Sequence, residues 1–184
     1  RNFFKKGAWR PYPSGQNQKL SISGQTNGTY YKALSLSFTD PWLGGRRPNS
    51  FTLSGYISEQ NNAYYVWQSA TMYYRSIGVF AGLGKRLQWP DPYFTLYGEL
   101  GYQRYSLRGW NSFILSDGVA NTLSLKLVLQ RSSVDAPFFS RSGSEFTLSV
   151  QATPPFSLWD GKDYAALAKA GTKEAQQDMY RWIE

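Results

Sequence analysis

Tyr31–Ser58, YKALSLSFTDPWLGGRRPNSFTLSGYIS, decides how the rest of the chain is read. Leu34, Leu36 and Phe38 alternate with Ala33, Ser35 and Ser37. After residues 39–50, Phe51, Leu53, Gly55 and Ile57 alternate with Thr52, Ser54, Tyr56 and Ser58. Successive side chains of a strand point to opposite faces of a sheet, so this alternation predicts two strands. Between them, Asp40-Pro41, Gly44-Gly45 and Pro48-Asn49 mark a turn. Proline fixes φ there, and glycine accepts positive φ. The segment reads as a hairpin with one apolar face, one small polar face and an aromatic, basic tip.

The pattern recurs on both sides. Leu20, Ile22 and Gly24 alternate with Ser21 and Ser23, and Asn27-Gly28 suits a tight turn. Further columns are Ile77-Val79-Ala81-Leu83, Phe94-Leu96-Gly98-Leu100-Tyr102, Leu123-Leu125-Leu127-Leu129 and Phe146-Leu148-Val150. Together they predict seven strands. A strand of about ten residues, tilted near 45°, rises about 23 Å at about 3.3 Å per residue, which matches the apolar band of an outer-membrane barrel. Residues 59–74 and 107–120 read as loops. In the tail, Ala165, Ala166, Leu167, Ala168 and Ala170 favour helix, with Asp163 as N-cap and Gly171 as stop. Residues 156–180 are therefore expected to be a loop with one or two helical turns, and Tyr180–Glu184 the start of another strand.

The chain has 184 residues, enough for one domain, and residues 1–184 are assigned to one. No apolar run is long enough for a helical span, which leaves a spanning barrel open because its strands alternate. Charged residues make up only 17%. A soluble sheet would set many charges against its apolar face. Here the opposite parity carries Ser, Thr, Gly, Gln and Tyr, with only Lys19, Glu99 and Lys126 charged, which suits a wet lumen. The fold class is thus all-β, an antiparallel transmembrane β-barrel present in part. Leu34, Leu36, Phe38, Leu53, Ile57, Val79, Leu96, Leu100, Leu123, Leu125, Leu127, Leu129, Leu148 and Val150 are expected to face lipid. Indole and phenol rings settle at the headgroup boundary. The aromatic turns are therefore assigned to the periplasmic interface through Trp9, Asp40, Pro41, Trp42, Arg46, Trp89, Tyr93, Asp135, Phe138 and Phe139. Segments 59–74, 107–120 and 156–180 are expected to be extracellular.

The net charge of +8 raises nucleic acid as a partner. Lys5, Lys6, Arg10, Arg46, Arg47, Lys85 and Arg86 sit mostly at turns, however, with no basic helix or nucleic-acid motif. No nucleic acid is expected, and anionic lipid headgroups suit these charges better. There is no cysteine and no histidine. A disulfide framework is excluded, and so is a nucleophilic triad of the usual form. Asp91, Glu99, Asp117, Asp135 and Asp160 show no pairing at a recognisable spacing. Asp40 and Asp135 read as acceptors for turn N–H groups. Asp160-Gly161-Lys162-Asp163 has too few oxygen ligands after it for an EF-hand. Neither enzyme activity nor a cofactor is expected. Arg1–Lys6 lacks the apolar core of a signal peptide, so an exported protein would need residues upstream.

Two stretches carry a resemblance. Ser37–Ser50, SFTDPWLGGRRPNS, resembles a periplasmic turn of the BamA family, outer-membrane protein assembly factors of Gram-negative bacteria. Arg131–Ser144, RSSVDAPFFSRSGS, is similar to a later turn of that family. The resemblance covers nearly the whole chain. It implies a sixteen-stranded barrel integral to the cell outer membrane, of which this chain spans the end of the second strand to the start of the tenth. It also implies that the whole protein folds and inserts β-barrel proteins. The expected partners are outer-membrane lipids, the remainder of the same barrel, assembly-complex subunits and nascent outer-membrane proteins. The family's POTRA domains, lid loop and lateral gate fall outside the matched stretch. Two alternatives stay open. One is a two-partner-secretion or translocation barrel, or a porin. The other is a soluble, aromatic-rich domain that binds glycans through Tyr64, Tyr65, Trp67, Tyr73 and Tyr74.

Overall fold

The computed structural model describes residues 17–43, 49–63, 70–110, 115–135 and 141–183. Seven strands form one sheet: β1 (Lys19–Asn27), β2 (Tyr31–Asp40), β3 (Asn49–Asn61), β4 (Tyr73–Arg86), β5 (Phe94–Arg108), β6 (Gly118–Ser132) and β7 (Glu145–Ala152). Their spatial order is their order in the chain, and each pair is antiparallel. This is an up-and-down meander, open at β1 and β7. Among the described residues there is no second sheet for it to pack against.

The strands run further toward the loops than the alternation of apolar residues predicts. Tyr73, Tyr74 and Arg75 pair with Asn61, Gln60 and Glu59, and Leu107 pairs with Gly118. These ends lack a regular alternation of apolar and polar residues, so hydrophobic periodicity does not mark them. Cross-strand pairs extend the ladder instead, among them Arg75 Nη2 with Glu59 Oε2 at 2.6 Å.

The tail holds three short helices, more than the one or two turns expected: α1 (Phe156–Trp159), α2 (Tyr164–Ala170) and α3 (Lys173–Met179). The Asp163 side chain accepts a bond from the Ala166 N–H at the start of α2, and Gly171 ends it with φ at 62°. Thr172 caps α3 through the Ala175 N–H. Beyond α3 the chain returns to β6. Trp182 bridges Asn121 in parallel, with Asn121 N–H donating to Arg181 O at 2.9 Å and Ile183 N–H to Asn121 O at 2.8 Å. Over Tyr180–Glu184, expected to start another strand, this isolated bridge is the strand-like pairing among the described residues.

Burial runs opposite to that of a soluble domain. No large side chain among the described residues is fully buried. The buried apolar groups Ala63, Leu107, Leu115, Ala120 and Ala175 sit at the loop end, and α3 contacts β6 there. Along β4, Ser76, Gly78, Gly82 and Gly84 are buried while Ile77, Val79, Ala81 and Leu83 are exposed.

Candidate functional site

The apolar column of β4 extends across the sheet through the register. One face carries rungs such as Leu36, Gly55, Val79, Tyr102, Leu123 and Phe38, Leu53, Ala81, Leu100, Leu125. Most of the candidate lipid-facing residues are exposed here. Leu34, Leu36, Leu53, Ile57, Val79, Leu96, Leu100, Leu125, Leu127, Leu148 and Val150 range from 39% to 54%. Phe38, Leu123 and Leu129 share the face but are half-buried. Leu20, Ile22, Ile77, Leu83 and Phe146 belong with them, on the same parity and equally exposed.

On β3, β4 and β6 polar residues bound this face at both ends, whereas on β2 Lys32 and Asp40 stand closer together and on β5 Phe94 holds the rim position. On β3 the column runs from Asn49 to Glu59, on β4 from Lys85 to Arg75, and on β6 from Arg131 to Asn121. Each interval spans the same number of residues, about 33 Å along the strand at about 3.3 Å per residue. Tilted near 45°, that sets the polar ends about 23 Å apart in height, close to the roughly 25 Å band of a membrane barrel. The register pairs Lys85 with Leu96, and Arg104 with Ile77. The band therefore shifts one rung between β4 and β5, as strands tilted to a membrane plane require. The sequence reading missed these end markers, although the ordering Ile77, Val79, Ala81, Leu83, Lys85 on one parity was there to find.

The other face is small, hydroxylic and aromatic. Tyr56 donates to or accepts from Ser76 Oγ at 2.9 Å and stacks on Phe80, with ring centroids 6.1 Å apart. Tyr97 donates to Glu99 Oε2 at 2.7 Å. Glycine leaves room where these rings lie against the sheet, and a side chain there would have to displace them. A Cβ at Gly78 would stand 2.3 Å from the Tyr56 ring, and one at Gly82 would stand 2.1 Å from the Tyr97 hydroxyl. Tyr74 belongs to this face, within 6.1 Å of Tyr105 and 5.9 Å of Trp110. Tyr73 lies on the other parity, so the two do not form one platform for a sugar. Tyr64, Tyr65 and Trp67 lie outside the described residues.

One end of the sheet gathers the β2–β3, β4–β5 and β6–β7 turns. Trp42, Trp89 and Tyr93 are exposed there at 51%, 84% and 48%. Asp40 is buried; it accepts from Trp42 N–H at 3.0 Å and from Gln18 Nε2 at 2.7 Å, with Pro41 half-buried beside it. Asp135 accepts from Arg141 N–H at 3.0 Å. Arg131 ties two of the turns together. Its Nε donates to Asp91 Oδ2 at 2.9 Å, its Nη1 donates to Ser133 and Ser144, and its guanidinium lies 5.8 Å from the Tyr93 and Phe94 ring centroids. Partial desolvation pushes the Asp91 carboxyl up. The bond from Arg131, the Tyr93 N–H and the Arg131 charge outweigh it and hold the carboxyl below the usual carboxylate range. Trp9, Arg46, Phe138 and Phe139 lie outside the described residues.

At the opposite end, Gln177 of α3 pairs with Val119 as a peptide group would. Its Oε1 accepts from Val119 N–H at 2.8 Å, and its Nε2 donates to Val119 O at 2.6 Å. This covers the edge of β6 above Leu125, where pairing with β7 stops. The acidic residues are dispersed rather than gathered. Asp117 accepts from Gly109 N–H and Lys173, and Asp160 from Tyr164 and Lys162. Backbone donation from Gly109 chiefly lowers the Asp117 carboxyl, and the Tyr164 hydroxyl chiefly lowers that of Asp160.

Comparisons with known proteins give the chain a family. The model of the Omp85 superfamily domain matches residues 14–169. A solved structure of BamA from Haemophilus ducreyi lacking POTRA domains 1–3 is similar at 20% identity and a TM-score of 0.49. That alignment covers 75% of this chain and 28% of the solved one, so the chain spans well under half of its length. No curated protein matches in sequence. The chain belongs to the Omp85 superfamily, and its seven antiparallel strands are part of a transmembrane β-barrel.

Proposed function

We propose that this chain forms barrel wall in an outer-membrane protein assembly factor, a machine that folds and inserts β-barrel proteins in a Gram-negative outer membrane. The observation that carries the reading is the outward apolar band, bounded by polar residues at a constant interval on β3, β4 and β6. Its height fits a bilayer, and its columns of Leu, Val and Ile are the side chains that acyl chains solvate best. The exposed aromatic rim is the periplasmic one, with Trp42, Trp89 and Tyr93 at headgroup level. The tail helices and the other long connections face outward from the cell. An open sheet leaves two unpaired edges, each polar group costing several kcal/mol in hydrocarbon. β1 and β7 therefore pair with further strands of the same barrel. The activity needs no chemical step: a seam opens, its edge strand pairs with a client strand by β-augmentation, and the thinned bilayer nearby lowers the barrier to insertion. Nascent barrel proteins and assembly-complex subunits are the partners.

The lipid-facing assignment is tested by Leu125→Lys or Leu127→Lys in the full-length protein. A lysine near the bilayer midplane costs about 2–4 kcal/mol on a barrel's lipid face. The folded, heat-modifiable form in outer membranes should fall sharply. Normal levels of that form would count against the assignment. Activity is tested by reconstituting the full-length protein in vesicles with an unfolded client barrel. Faster client folding is expected; passage of a secreted polypeptide without it would favour the translocation barrel instead.

A further inference from the structure

Two apolar columns end on a cation at the aromatic rim. On β6, Leu123, Leu125, Leu127 and Leu129 lead to Arg131; on β4, Ile77, Val79, Ala81 and Leu83 lead to Lys85. The two cations differ in their surroundings. Arg131 is neutralised by Asp91 at 2.9 Å. Among the described residues, no carboxylate forms an ion pair with Lys85. Arg86 lies beside it, its Nε held by Pro92 O at 2.5 Å. Around the pair is an open depression of about 610 Å³, lined by Asn49, Lys85, Arg86, Leu87, Trp89 and Pro92. Both cations line it although they stand on opposite parities at the end of β4, with the exposed Trp89 indole beside them; Lys85 joins it to the apolar band, following Leu83 on β4 and pairing with Leu96 on β5.

We propose that this depression binds the phosphate headgroup of an anionic phospholipid whose acyl chains lie along Leu83 and Leu96. The proposal rests on the lipid-facing reading of the outer face. A lysine stem covers apolar surface while its ammonium reaches the interface, which is the position of Lys85 below Leu83. Trp89 supplies the amphipathic ring favoured at that depth. A water-soluble anion would use the two charges but gain nothing from the apolar margin. A lipid uses both, which favours the lipid as occupant.

The test uses the full-length protein in neutral detergent, with bound lipid counted by native mass spectrometry. Phosphatidylglycerol should be retained in preference to phosphatidylcholine. A basic residue near an anionic surface contributes a factor of about five. Lys85→Gln and Arg86→Gln should each lower retention by about that factor, and the double variant by about twenty-five-fold. Lys85→Arg should keep it, and so should Lys32→Gln, which removes an exposed charge at the opposite rim. Equal retention of the two lipids, an unchanged double variant, or displacement by millimolar inorganic phosphate would overturn the proposal. Flotation of the same protein with vesicles separates it from the reading beneath it. Wild-type protein that floats but shows no headgroup preference rejects the site alone; wild-type protein that does not float rejects both.

Discussion

Single glycines and single charges set the local geometry. Gly78 leaves room for the Tyr56 ring, and the Tyr56–Ser76 bond then ties β3 to β4 on the inner face. Gly78→Leu has to displace that ring, and overpacking of this kind costs about 1–3 kcal/mol. The urea midpoint of the vesicle-embedded protein should fall accordingly; an unchanged midpoint would mean that the ring does not lie against Gly78. At the rim, the sign for Asp91 follows from its lowered folded pKa. Its contribution is present above the ordinary value of 3.8 and is lost as pH falls through the lower folded value. Asp91→Asn should therefore melt below wild type at neutral pH, with the gap closing under about pH 4. A gap that persists in acid would rule out the Arg131 pair as its source.

At the scale of elements, the hairpins were legible and their loop-side ends were not. Leu34, Leu36, Phe38 and their counterparts alternate against Ser and Thr, so the strand bodies and the inverted faces follow from side-chain direction alone. Tyr73–Arg75 and Gly118–Asn121 have no such contrast, and only cross-strand pairing reveals them as strand. The caps Asp163 and Gly171 are local signals and read directly from sequence. The Arg131–Asp91 tie and the Gln177–Val119 pair join distant segments, and no spacing rule reaches them. Gln177→Glu probes the second. A carboxylate can accept from Val119 N–H but cannot donate to Val119 O. α3 should loosen and residues 156–183 should become more sensitive to added protease. Unchanged sensitivity would mean that Gln177 does not hold the tail.

For the whole molecule, burial is turned inside out. Most leucines of the apolar columns are exposed, glycine and serine of β4 are covered, and polar residues bound the apolar columns at one interval on β3, β4 and β6. Composition hinted at this through sparse charge on the polar parity, but the constant interval emerges only once the register is known. The chain has no cysteine, so single cysteines can be introduced and spin-labelled without background. The most direct measurement is collisional relaxation at positions 122–129 of the full-length protein in bilayers, comparing oxygen with a water-soluble nickel reagent. Labels at Leu123, Leu125, Leu127 and Leu129 should collide preferentially with oxygen, and labels at Thr122, Ser124, Lys126 and Val128 should not. Uniform accessibility along β6, or the reverse alternation, would contradict a lipid-facing leucine column.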